Sequence, residues 1–246
     1  METATYQQEQ QLSARLTVAD GIKAGIPIAV GYIPIAIAFG LLAKSSGVPN
    51  EVSMLMSLSV FAGASQFVGV NLLSLGTAYW EIVLATFILN LRHFLMAASL
   101  SQRLEKQTDK PWLAVLAFGI TDETFTVASL REEKILSTEF VIALNAMAFA
   151  AWNVGTWIGL FLAEGLPESV KASMGIALYA MFIGLLLPSM KKSRPALVIG
   201  LAAMAIHGLL KVIPGLEGLS AGWSIVIATI AGALAGTFLF TDEGEA

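Results

Sequence analysis

Along most of this chain, apolar residues run on without the regular polar positions of a water-facing helix or strand. Charges and Pro/Gly turns cut these runs into eight segments, near Ile22–Ala43, Val52–Leu75, Trp80–Leu100, Trp112–Leu130, Thr138–Ala163, Val170–Leu187, Pro195–Ile213 and Gly222–Phe240. Each is close to the roughly 20 residues that carry a helix across a bilayer. The pattern predicts an all-α, polytopic membrane helix bundle of about eight crossings, some of them broken. The count falls to seven if the short seventh segment, with His207 and Lys211 near its end, does not cross. Connections such as Lys44–Glu51 and Lys191–Arg194 are short, so sequence neighbours are expected to run antiparallel. Trp80, Trp112 and Trp223 stand at segment starts, where interfacial aromatics belong. The chain divides into a polar tail (1–20), a transmembrane domain (21–240) and an acidic tail (241–246).

Composition adds the solvent. Of 246 residues, 56% are hydrophobic and 13% charged, about half the charged fraction of a soluble domain, so most of the surface must meet lipid or other membrane helices. The net charge is −4 and no Lys/Arg cluster points to nucleic acid. The absence of cysteine excludes disulfides and thiolate metal sites. Met1–Asp20 lacks the basic and apolar regions of a signal peptide, so the first membrane helix is expected to direct insertion. Basic residues in the loops and at the segment ends divide seven to six between the two sides, and the positive-inside rule does not set the orientation. Zinc-type His spacing, a phosphate-binding loop and a nucleophile elbow are all missing from the sequence, and neither an enzyme nor a cofactor is expected.

The chemistry concentrates in the first half. Arg92 lies near the centre of the third segment, where a charge costs about 2.5–3.5 kcal/mol on insertion scales and calls for a partner. The fourth segment offers Thr121-Asp122-Glu123 at a similar distance from its start. One guanidinium and two carboxylates leave one acid in excess. Two close carboxylates at low dielectric do not both stay ionised, which gives a route to proton coupling. Thr86, Asn90, His93, Ala97 and Ser101 follow helical spacing as one stripe, with Arg92 at its edge. Asp122, Thr126 and Ser129 form a similar stripe, with Gly119 on the same side. The competing reading is a buried ion pair that only fixes helix register.

Two segments carry signals of irregular backbone. Phe61-Ala62-Gly63-Ala64-Ser65-Gln66-Phe67 places three small residues before Ser and Gln at mid-membrane depth, which fits either tight packing or a break. A break would expose backbone groups able to bind the carboxylate and ammonium of an amino acid. Pro27 and Pro34 flank Gly31-Tyr32 in the first segment, fitting either a kink or an unwound turn. Gly155-x-x-x-Gly159 and Gly232-x-x-x-Gly236 are helix-docking patterns of low specificity.

Four motifs occur in order: Gly31-Tyr32-Ile33-Pro34-Ile35-Ala36-Ile37-Ala38-Phe39-Gly40, Phe61-Ala62-Gly63-Ala64-Ser65-Gln66-Phe67, Leu91-Arg92-His93 and Phe118-Gly119-Ile120-Thr121-Asp122-Glu123. Together they resemble the AzlC family, the large subunits of bacterial branched-chain amino acid exporters, most closely before Thr138. The resemblance implies a multi-pass secondary transporter of the bacterial cytoplasmic (inner) membrane that exports leucine, isoleucine or valine. It also implies a small AzlD-like partner of about four membrane helices. On this reading Tyr32, Pro34, Gly63, Ala64, Ser65, Gln66, Phe67 and Asn90 hold the substrate, while Arg92, His93, Asp122 and Glu123 couple it to protons. The alternatives are a passive channel or exporter for another small solute, and a membrane scaffold that does not transport.

Overall fold

A computed structural model describes residues 16–165, 190–214 and 218–240, together with 167, 169, 183, 186 and 187. The expected sixth segment (apart from three isolated positions), residues 1–15 of the polar tail and the acidic tail 241–246 lie outside the described residues. The described helices are α1 Val18–Ser45, α2 Asn50–Ser59, α3 Gly63–Ser74, α4 Tyr79–Ser101, α5 Lys110–Phe118, α6 Asp122–Ser129, α7 Thr138–Gly165, α8 Arg194–Val212 and α9 Ala221–Leu239. Of these, α1, α4, α7, α8 and α9 are each long and apolar enough to cross a membrane. The protein is thus an all-helical, multi-pass membrane protein over its described residues, among which five unbroken helices have that length and apolarity.

The other four helices are halves of broken segments. The second segment stops at Ser59 and restarts at Gly63, and the fourth stops at Phe118 and restarts at Asp122. The first break covers residues 60–62, at the leading edge of the small-residue run, while Gly63, Ala64, Ser65 and Gln66 already lie in α3. The first segment, by contrast, does not unwind: α1 runs unbroken through Pro27 and Pro34. A proline removes one intrahelical hydrogen bond, but the surrounding helix can continue through a bend. Pro34 is also exposed while Tyr32 is buried, as two residues about 200° apart on one helix should be. The helix around Pro34 is therefore continuous, and the unwound turn that the two prolines also fitted is not formed. At its start α1 reaches back to Val18 because Thr17 and Asp20 cap each other. The Thr17 backbone N–H donates to Asp20 Oδ2 at 2.9 Å, and the Asp20 N–H donates to Thr17 Oγ1 at 3.3 Å.

The chain forms two compact units. The first takes the described part of Met1–Gly40 with Asn50–Ala62 and Leu91–Phe161; the second takes Leu41–Pro49, Gly63–Asn90 and the described part of Leu162–Ala246. In the first, α1 and α7 lie side by side in parallel, joined through glycines along their length. A Cβ on Gly21 or Gly25 would strike α7 at Ala143 or Met147, and one on Gly155 or Gly159 would strike α1 at Ile33 or Ile37. Ser57 of α2 joins α7 through a 2.9 Å hydrogen bond with Thr156. The first docking pattern thus serves an internal contact.

In the second unit Leu72, Ala85 and Val226 form a small buried core, enclosed by Val68, Ile82, Ile88 and Ile225. Ser220 donates its hydroxyl to Glu81 while accepting the backbone N–H of Trp223 as the cap of α9. Trp80 and Trp223 meet edge to face at 5.6 Å. Gly232 and Gly236 lie against Ala203 and Ile199 of α8, so the second docking pattern is also internal.

Candidate functional site

Gly119 and Thr121 create the break between α5 and α6 and so place the two acids. Thr121 caps α6: its hydroxyl accepts the Thr124 N–H at 3.3 Å, and Thr124 Oγ1 accepts the Thr121 N–H at 2.8 Å. Such a cap stabilises a helix start by about 1 kcal/mol. Asp122 and Glu123 therefore occupy the first turn of a short helix, where the exposed N–H groups and the helix dipole favour negative charge. Opposite the break, Asn145 of α7 packs against Gly119 and donates its Nδ2 to the Leu116 carbonyl at 3.2 Å. The interruption thus occurs within a segment that the hydrophobic pattern reads as one helix. Its signal was the Thr-x-x-Thr cap after glycine.

Arg92 of α4 pairs with Asp122, Nη1 to Oδ2 at 2.7 Å. The two side chains are 44% and 49% exposed within the chain, so this is not the sealed ion pair that a purely register-fixing role implies. Glu123 takes a different partner. The Tyr32 hydroxyl donates to Glu123 Oε2 and lies 2.7 Å from Thr121 Oγ1. Through this one hydroxyl the middle of α1 reads the first turn of α6. His93 is half-buried beside Arg92. Thr126 returns its hydroxyl to the Asp122 carbonyl at 2.6 Å, so that part of the expected stripe serves its own helix.

Aromatic rings enclose Tyr32. Trp152 stands 5.5 Å away at 77°, and Phe61 6.3 Å away at 73°. Phe149 of α7 continues the chain of rings between Phe61 and Phe118, at 5.3 and 5.8 Å. Asn145 and Trp152 are both buried, yet Asn145 Oδ1 and Trp152 Nε1 meet no hydrogen-bond partner among the described residues. Sequence reading had assigned neither to the site. Their spacing of seven on one apolar helix showed a shared face, but not what that face met.

The far end of α6 is fixed by Arg103. Its guanidinium donates to the carbonyls of Ala128 (3.3 Å), Ser129 (2.7 Å), Arg131 (2.8 Å) and Glu133 (2.6 Å). This cation at the C-terminal end holds the short helix that carries both acids. Arg103→Lys replaces a planar fork by one ammonium that cannot span four carbonyls. It is expected to lower the thermal midpoint of the detergent-solubilised protein by about 5 °C. An unchanged melting curve would show that these contacts are incidental.

The remaining candidates lie in the second unit and are described there alone. Ser65 donates its hydroxyl to Asn90 Oδ1 at 2.7 Å. Gln66 and Phe67 are 1% exposed, and Gly63 and Ala64 form the half-buried first turn of α3. The structure thus brings together Tyr32, Glu123, Asp122 and Arg92 in one unit, and Ser65 and Asn90 in the other. Pro34 joins neither group.

Comparison with known proteins agrees with the motifs. A family model described as AzlC protein matches residues 27–166. The chain is similar to the inner membrane protein YgaZ of Escherichia coli, with 34% identity over 199 residues, covering 78% of this chain and 81% of that protein. It is 32% identical to a membrane protein of Archaeoglobus fulgidus over 238 residues, or 95% of this chain and 99% of the relative. A third relative, the branched-chain amino acid transport protein AzlC of Bacillus subtilis, is 31% identical over 102 residues, 42% of this chain and 39% of its own. No solved structure matches the chain.

Proposed function

The chain belongs to the AzlC family of membrane transport proteins, and we propose that it exports branched-chain amino acids by proton-coupled antiport from the bacterial cytoplasmic membrane. Its expected companion is a small AzlD-like membrane subunit. The observation that carries the coupling is the cluster at the break between α5 and α6. There Arg92 holds Asp122, while Glu123 is held separately by Tyr32. One cation and two acids at a helix start form a group whose charge changes on taking up one proton. Because the acids have different partners, protonating Asp122 releases Arg92, and protonating Glu123 rearranges the Tyr32 contact. Either event alters the seam between α1, α4 and α6, which is what an access change needs.

The substrate class is supported by the printed name of the Bacillus subtilis relative and by the rings around Tyr32, which suit an aliphatic side chain. In the second unit, Ser65, Gln66 and Asn90 are the polar residues that this reading assigns to the substrate. On this reading the neighbouring His93 is assigned to orient Arg92.

The test is flux of labelled leucine in proteoliposomes, with and without the small subunit, across amino acids and pH. Concentrative leucine movement that follows an imposed pH gradient is expected. Leucine flux that only equilibrates would favour a channel. The absence of any flux with the partner present would favour a scaffold.

A further inference from the structure

We propose that the indole N–H of Trp152 receives the carboxylate of the transported amino acid; this deepens, and rests on, the reading above. Trp152 is 4% exposed, and its Nε1 meets no acceptor among the described residues. An indole nitrogen can only donate, and a buried donor left without a partner costs about 1–3 kcal/mol. Its ring is fixed on both sides by α1: Tyr32 lies edge to face at 5.5 Å, and Phe39 stacks at 6.3 Å with 27° between planes. Neither brings an acceptor within hydrogen-bond reach of Nε1, and the Tyr32 hydroxyl points its donor to Glu123. The ring therefore cannot turn to find an acceptor in its own neighbourhood without losing this packing.

A ligand carboxylate would satisfy the donor, and a charged acceptor in a buried setting makes the stronger bond. Tyr32 then stands at the centre of a zwitterion site. Trp152 lies against its ring for the carboxylate, and Glu123 at its hydroxyl meets the ammonium. The aromatic faces of Tyr32, Phe61 and Phe149 supply both apolar contact and affinity for a cation. Specificity follows: a ligand without a carboxylate leaves Trp152 unpartnered and loses binding.

The experiment compares binding of labelled leucine and labelled isopentylamine, which keeps the ammonium and the branched chain but has no acceptor oxygen, to the purified full-length protein, in wild type and in Trp152→Phe. Phenylalanine keeps an apolar ring but has no donor. Leucine affinity is expected to fall about tenfold or more in the variant, while isopentylamine affinity changes by less than about twofold. A second variant with 3-benzothienylalanine at position 152 keeps the bicyclic shape and replaces N–H by sulfur. It must reproduce the selective loss even if phenylalanine disturbs folding. Equal losses for both ligands would reduce Trp152 to packing, and unchanged leucine affinity would mean that the donor bonds to a resident water; either result overturns the proposal. If the wild type binds leucine but its variants do not discriminate, this inference alone fails. If the wild type binds no leucine, the branched-chain reading itself fails.

Discussion

Asp122→Asn is expected to reduce leucine accumulation driven by a pH gradient to the level of empty vesicles, while the protein still folds. The amide is nearly isosteric and can still accept the Arg92 bond now made at 2.7 Å, so the geometry between α4 and α6 should persist. What disappears is a site for a proton. The acid whose protonation would release Arg92 is then gone, while Glu123 keeps its separate partner Tyr32. Glu123→Gln gives a different result if the acids are as separate as their partners suggest. It disturbs the Tyr32 contact first, and so should weaken substrate affinity together with flux. Proton-driven accumulation by Asp122→Asn equal to wild type would sink the coupling role. If Arg92, Asp122 and Glu123 were all neutralised together and full flux survived, the cluster would be a packing device.

The largest expected effect on stability lies elsewhere, at Gly159→Val. Here α7 crosses α1 so closely that an added Cβ would overlap the backbone carbonyl of Ile37. Gly40 faces Thr156 and Gly159 from the other side in the same way. Backbone cannot rotate aside as a side-chain end can, so the helices must separate. Separation opens the Ser57–Thr156 hydrogen bond and draws Trp152 away from Tyr32 and Phe39. Overpacking of this kind costs about 3 kcal/mol or more, a large part of the stability of a domain. Gly31→Ala on α1 is the control. Nothing lies within 4 Å of its would-be Cβ, so this change should be neutral or stabilising by about 0.5–1 kcal/mol. The comparison is read in thermal unfolding of the solubilised protein. Equal midpoints for the two variants would show that the α1–α7 seam tolerates insertion.

Much of this molecule was legible before any coordinates. Lipid imposes the rule that backbone polar groups be satisfied within a helix, and apolar length then marks the crossings. The starts of α4, α5, α7 and α8 lie within a few residues of their expected places for that reason. Arg92 announced its need for a partner because a deep charge is expensive, and Asp122 was at matching depth. The break near Gly63 could be suspected from small residues alone. The break at Gly119 could not be read from hydrophobicity, since Ile120 continues the apolar run. It required noticing that Thr121 and Thr124 compete for the helix N–H groups. Pro34 left both a kink and an unwound turn open, and the helix continues because proline removes only one bond while tertiary contacts hold the other face of α1.

The sequence by itself determined the solvent, the helical class, the family and the need for a counter-charge, because each follows from residue type and spacing along one chain. Which acid pairs with Arg92, why Glu123 answers to Tyr32 instead, and how Trp152 of α7 comes to face α1 were decided only in the tertiary structure. Those contacts join residues about 30 to 120 positions apart, and nothing in local periodicity fixes the rotation of one helix against another. Here the rotation is set by the glycines that let α1 and α7 touch, and it is this contact that turns an apolar helix face into one wall of a site.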